Sequence, residues 1–141
     1  IFAGMFATMI PALEILNARG AALGVTEPWQ FFWASGALSS FLDNAPTYLA
    51  FASAASGLVG TDAAHLGELI ATPQGATLLE AVALGSVLMG ANSYIGNGPN
   101  FMVKAIAEAN GVRMPSFFGY MAWSGAVLVP LLVAVTFVFM R

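Results

Sequence analysis

Apolar residues run almost without interruption along this chain, and the polar positions fall in a few short clusters that divide it. The run from Ile1 to Leu16 contains Pro11 and is stopped by Asn17-Ala18-Arg19-Gly20. A polar loop leads to Pro28. From Trp29 the sequence is apolar to Leu42, breaks at Asp43 to Pro46, and resumes to Ser56 before Gly57. Residues 57 to 76 form the longest polar connection, with Thr61, Asp62, His65, Glu68, Thr72 and Pro73. Another apolar run begins near Ala76 and reaches Asn92, is interrupted from Ser93 to Pro99, and is completed by Asn100 to Asn110. After the turn Gly111-Val112-Arg113-Met114-Pro115, Phe117 to Met140 is apolar throughout and exceeds the roughly 20 residues a helix needs to cross a bilayer. Arg141 is expected to cap that span at the interface.

The two interruptions share one pattern. Ser40-Phe41-Leu42-Asp43-Asn44-Ala45-Pro46-Thr47-Tyr48-Leu49 and Ser93-Tyr94-Ile95-Gly96-Asn97-Gly98-Pro99-Asn100-Phe101-Met102 both place Ser, Asn and Pro at equivalent positions. Proline has no N–H and disfavours helical geometry at the residue before it, so each segment predicts a broken helix. Around the first break each half has about ten to fourteen residues, short of a crossing, which predicts a re-entrant hairpin whose tip is shielded by protein. The second break has enough chain on both sides for one discontinuous span. Residues 1–141 are therefore expected to form a single all-α transmembrane domain. Its parts are a transmembrane helix, a re-entrant helical hairpin, a discontinuous transmembrane helix and a terminal transmembrane helix.

Composition agrees with lipid as the solvent. Hydrophobic residues make up 59% of the chain, charged residues 8%, and the mean hydropathy is +0.82, whereas a soluble domain carries about 25% charged residues. Four basic and seven acidic residues, a net charge of −3, are too sparse for a nucleic-acid face or a polybasic lipid anchor. Without cysteine, disulfides, iron–sulfur clusters and thiolate metal sites are excluded. Lys104 and Arg113 favour a cytoplasmic Gly111 turn, and the acidic 57 to 76 loop then lies outside, with Arg19 and Arg141 counting the other way. The chain begins inside an apolar run, so a longer protein is expected.

Chemistry concentrates at the breaks. A half-helix that ends in a break points carbonyls into it, and one that begins there points N–H groups into it. Ser40, Asp43, Asn44 and Thr47 from the first break, with Asn92, Ser93, Asn97 and Asn100 from the second, are the candidate ion- or substrate-binding residues. Asp43, Asn44 and Asn97 offer hard oxygens suited to Na⁺. Asp43 is the acid in the middle of an apolar run and reads as functional; the structural alternative is that it only caps a half-helix. For the second break alone the alternative is an Asn-Gly-Pro turn. Thr77-Leu78-Leu79-Glu80 matches a capping box, so Glu80 is expected to be structural. Glu14 lies near a span end, and His65 belongs to a loop. No metalloprotease motif, phosphate-binding loop or paired nucleophile supports an enzyme, and no cofactor is expected beyond Na⁺ and H⁺ as transported or coupling ions.

The segments Ser39 to Thr47 and Gly90 to Met102 resemble the ion transporter superfamily, and within it the sodium/proton antiporters of NhaD type and the related citrate transporters. The resemblance covers essentially the whole chain and implies two inverted repeats, this chain being the C-terminal one. It implies a secondary transporter of the cell (inner) membrane, with sodium/proton antiport by alternating access as the leading activity. Citrate, carboxylate or arsenite transport is the alternative within the superfamily, and a non-transporting membrane scaffold the alternative outside it. The implied partners are the lipid bilayer and the missing N-terminal repeat, with a homodimer among the open assemblies. In the dicarboxylate branch hairpin tips carry Ser-Asn-Thr, whereas this tip reads Asp43-Asn44-Ala45-Pro46-Thr47, which supplies an acid usable for proton exchange.

Overall fold

A computed structural model describes residues 2–139; the expected interface cap at Arg141 lies outside the described residues. The described residues are helical without strands. The helices are α1 (Phe2–Arg19), α2 (Pro28–Ser39), α3 (Asn44–Val59), the short α4 (Leu66–Ile70), α5 (Pro73–Met89), α6 (Gly98–Ala109) and α7 (Phe117–Phe139), with 3₁₀ turns at Gly20–Leu23 and Gly90–Asn92. Among the described residues, Pro73–Asn92 and Phe117–Phe139 are long and apolar enough to cross a membrane. With the composition above, they define a helical membrane protein.

Local chemistry explains most helix ends. Pro28 opens α2 at a position that needs no N–H, and Gln30 Oε1 accepts from the N–H groups of Thr26 and Glu27 at 2.8 and 3.1 Å. The Asp43 carboxylate accepts from the N–H of Asn44 at 2.8 Å and so caps α3, which starts two residues before Pro46. Gly60 and Gly111 end α3 and α6 at φ of 82° and 79°, a region that side chains with a Cβ rarely adopt.

Two expectations are corrected here. The capping box at Thr77 to Glu80 is absent because α5 begins earlier, at Pro73. Thr72 is its cap, its Oγ1 accepting from the N–H of Gly75 at 3.0 Å, and Thr77 instead bonds back to the carbonyl of Pro73 at 3.0 Å. Glu80 thus sits about two turns inside α5. Gly57 does not end the first hairpin's second half, since α3 continues to Val59. A Cβ at Gly57 would strike the backbone of Asn17, so this glycine permits a close crossing of α1 and α3.

That crossing is repeated elsewhere. Gly20 lies against Ala54 and Leu58 of α3, Gly36 of α2 against Met89, and Gly85 of α5 against the carbonyl of Phe32. In lipid the hydrophobic effect does not drive helices together, and small residues serve by letting backbones approach. Phe31, Phe32, Ala52, Ala55, Leu78 and Val82 fill the centre. Ser35 Oγ donates to Val82 O at 3.5 Å, Ser39 Oγ to Ser86 O at 2.5 Å and Ser40 Oγ to Met89 O at 3.2 Å. Those pairs advance together along both chains, so α2 and α5 run in the same direction and end side by side. Helix α7 is anchored by buried Leu132 and by Trp33 Nε1 donating to Thr136 Oγ1 at 3.1 Å, and otherwise presents exposed apolar side chains such as Phe118, Trp123 and Val138.

Candidate site at two adjoining helix breaks

Where a helix stops inside an apolar environment, its last carbonyls need donors. Helices α2 and α5 stop at the same level, at Ser39 and Met89, and donors come from the polar residues of the breaks. Ser40 Oγ bridges Gly36 O at 3.1 Å and Met89 O at 3.2 Å. Ser39 Oγ donates to Ser86 O. Asn100 Nδ2 reaches back from α6 to Gly90 O at 3.1 Å and Ser93 O at 3.0 Å. Ser93 Oγ donates to Ser40 O in a short hydrogen bond and accepts from the N–H of Gly96 at 3.0 Å.

Asn44 closes the junction. Its surroundings are acceptors, which assigns the amide nitrogen to the buried side. So placed, Nδ2 lies 2.9 Å from Ser86 O, 2.9 Å from Ser39 Oγ and 3.3 Å from Gly96 O. The start of α3 is therefore tied to the segment that leads into α6. Asn92 Nδ2 faces Ser40 Oγ at 3.5 Å, while its own carbonyl and Oδ1 accept from Ser124 Oγ on α7 at 2.7 and 3.0 Å. Tyr94 stacks on Tyr120 with ring centroids 4.2 Å apart, and Tyr120 donates to Ala91 O at 3.0 Å.

The structure brings together Ser40, Asn44, Asn92, Ser93 and Asn100 from the candidate set. It leaves out three. Thr47 is buried, but its hydroxyl donates to Asp43 O at 3.0 Å, within its own helix end. Asn97 is the N-cap residue of α6 without a side-chain cap bond. Asp43 is exposed in this chain, its carboxylate on the N–H of Asn44, and it forms no ion pair among the described residues. The Asn44 amide nitrogen turns toward Ser39, Ser86 and Gly96. The sequence reading missed Ser39, Ser86 and Ser124. Polar side chains inside otherwise apolar runs, with Ser35 and Ser39 four residues apart on one helix face, were the available signal.

Beside the junction lies a cavity of about 630 Å³ lined by Asn44, Ala45, Tyr48, Leu49, Ala83, Ser86 and Val87. Both α3 and α6 begin at the junction, so two positive helix ends face the same region.

A helical membrane protein whose polar centre is made by interrupted helices has the architecture from which transporter binding sites are built. The family model described as "Putative citrate transport" matches residues 1–140, and the chain belongs to that family. Its family role is transport rather than catalysis. No curated protein and no solved structure matches the chain.

Proposed function

We propose that this chain is the C-terminal repeat of a secondary transporter in the cell (inner) membrane, and that it carries citrate or a related carboxylate by alternating access. The observation that carries this reading is the fate of the backbone at the breaks. Ser40 O, Ser86 O, Met89 O, Gly90 O and Ser93 O each already accept a side-chain hydrogen bond. These carbonyl oxygens are taken up in holding the two helix ends together. The N-terminal end of α6, whose cap residue Asn97 makes no side-chain cap bond, remains as a positive end facing the junction and favours an anion, whereas that of α3 already holds the Asp43 carboxylate. In this reading α2 and α3 form the re-entrant hairpin. At 1.5 Å per residue they are about 18 and 24 Å long, less than the roughly 30 Å of hydrocarbon. The shared direction of α2 and α5 supports it, because α3 must return to the end from which α5 starts, where α4 packs on both.

Counterflow of labelled citrate by the full-length protein in proteoliposomes tests the reading. Exchange that unlabelled citrate competes away is expected.

Sodium/proton antiport is the second reading, and Asp43 favours it: an exposed acid at the start of α3, next in sequence to Asn44 of the junction and with no basic partner among the described residues, can exchange H⁺ for Na⁺. Absence of citrate counterflow together with Na⁺-driven proton movement would replace the first reading with this one.

A further inference from the structure

Glu80 is freed from the capping role and makes no hydrogen bond or ion pair among the described residues. It lies on a membrane-spanning helix, exposed in this chain, and lines a cavity of about 370 Å³ with Thr77, Ala83, Leu84 and Phe139. A carboxylate inside a span is expensive unless it serves an ion or proton path. A second cavity adjoins it on α5. Ala83 also lines the second cavity, the one that reaches Ser86 and Asn44 at the junction of the breaks. Thr77, Glu80, Ala83 and Val87 succeed one another at helical spacing, so one face of α5 lines both cavities. Glu80 and Ser86 are about 9 Å apart along the helix axis.

We propose that this face of α5 is the cation entry path to the junction, with Glu80 as the carboxylate that takes up the coupling cation, H⁺ or Na⁺, on its way in. The proposal rests on the transporter reading above for what the path serves, but not for the chemistry of Glu80 itself. Among the described residues no other ionisable side chain lines its cavity. Of the helices packed on α5, α2 has no ionisable side chain, α3 places Tyr48 in the adjoining cavity, and α4 carries Glu68 with His65 before it. The carboxylate is thus the group in this path able to exchange a cation. Proton uptake converts it to the neutral acid, and Na⁺ binding displaces that proton.

The test uses the full-length protein in liposomes and dicyclohexylcarbodiimide, an apolar reagent for protonated carboxyl groups, with mass spectrometry of the peptide holding Glu80. Modification of Glu80 should rise as pH falls. Protection by Na⁺ but not by a bulky organic cation identifies Na⁺ as the ligand, and protection by raised pH alone identifies H⁺. No modification of Glu80, or modification indifferent to both, overturns the proposal. In transport, Glu80→Gln should lose gradient-driven citrate accumulation and keep counterflow, with Glu80→Asp retaining part of the accumulation. Full accumulation by Glu80→Gln also overturns it. Where the variant loses both activities through misfolding, the labelling of the wild-type protein decides. Where the wild-type protein shows no citrate counterflow, the citrate reading falls and the labelling still decides the role of Glu80.

Discussion

Ser93 Oγ donates to the carbonyl of Ser40 across the two breaks, and the same oxygen accepts from the N–H groups of Ile95 and Gly96 at 3.2 and 3.0 Å. One fully buried hydroxyl therefore satisfies backbone groups from both interruptions at once. Replacing Ser93 with Ala strands all three, and buried unpaired polar groups cost about 1–3 kcal/mol. Ser93→Ala should lower the melting temperature of the detergent-solubilised protein and slow transport, whereas Thr26→Ala, in the exposed turn before α2, should do neither.

Gly96 offers a sharper test of the same junction. A Cβ there would lie 2.6 to 2.9 Å from the carbonyl oxygens of Ser39, Gly90 and Ser40, all backbone atoms that cannot swing away. Overpacking of this kind costs about 1–3 kcal/mol. Gly98, two residues on, has nothing within 4 Å of its would-be Cβ. Gly96→Ala should destabilise the protein and abolish transport, and Gly98→Ala should leave the melting temperature unchanged; equal behaviour of the two variants would show that the breaks do not meet as described.

Both interruptions were legible because proline and paired polar residues inside apolar runs leave no helical alternative. Their bounds were not: the breaks expected at Asp43 to Pro46 and Ser93 to Pro99 open after Ser39 and Met89 and close at Asn44 and Gly98, so Pro46 and Pro99 lie inside the first turns of α3 and α6. Which oxygen meets which donor was not legible. Ser39 and Ser86 join through the lateral packing of α2 on α5, a long-range relation that period and propensity do not encode. Glu80 was misread for a related reason: Thr77-Leu78-Leu79-Glu80 fits a capping box locally, but Thr72-Pro73 offers an earlier start with both a cap and a proline at the first helical position. Gly57 was read as a terminator when it is a contact, since a glycine chosen for a close crossing and one chosen for a turn look alike in sequence.

Asp43 separates its two readings by substitution. Asparagine caps a helix about as well as aspartate, while alanine loses the cap at a cost of about 1 kcal/mol. Asp43→Asn should therefore fold like the wild type and Asp43→Ala should be slightly less stable. If Asp43 couples a cation, Asp43→Asn loses Na⁺-driven proton movement with the fold intact. If it only caps α3, the Asn variant transports normally, and a deficit appears in the Ala variant alone.

The loop between α3 and α4 carries its own titration. The N–H of Ala64 donates to Asp62 Oδ1 at 2.9 Å and His65 Nδ1 lies 3.0 Å from Oδ2. Those contacts, the backbone one first, hold the Asp62 carboxyl below its ordinary value of 3.8. A depressed value means that the ordering of the loop is present above that ordinary value and is lost as the pH falls through the folded one. The carboxyl carbon resonance of Asp62 should keep its ionised position from neutral pH down to about 4 and titrate only below it. A midpoint above the ordinary carboxylate range would contradict the contacts at Asp62.

The hairpin reading predicts which side of the membrane each end of residues 28–59 occupies. Helices α2 and α3 are each shorter than the hydrocarbon they would have to cross, and the turn between them is polar and engaged with Ser86 and Gly96. Both ends should therefore lie on one side. Trp29 is exposed at the start of α2, and Ala64 is exposed in the loop after α3. The chain contributes no cysteine of its own, so Trp29→Cys and Ala64→Cys can be read singly with a membrane-impermeant maleimide in oriented vesicles. Gly57 is unsuitable for this purpose because a side chain there meets the backbone of Asn17. Labelling of both positions from the same side is expected. Labelling from opposite sides would make α2 and α3 one passage through the membrane and remove the hairpin.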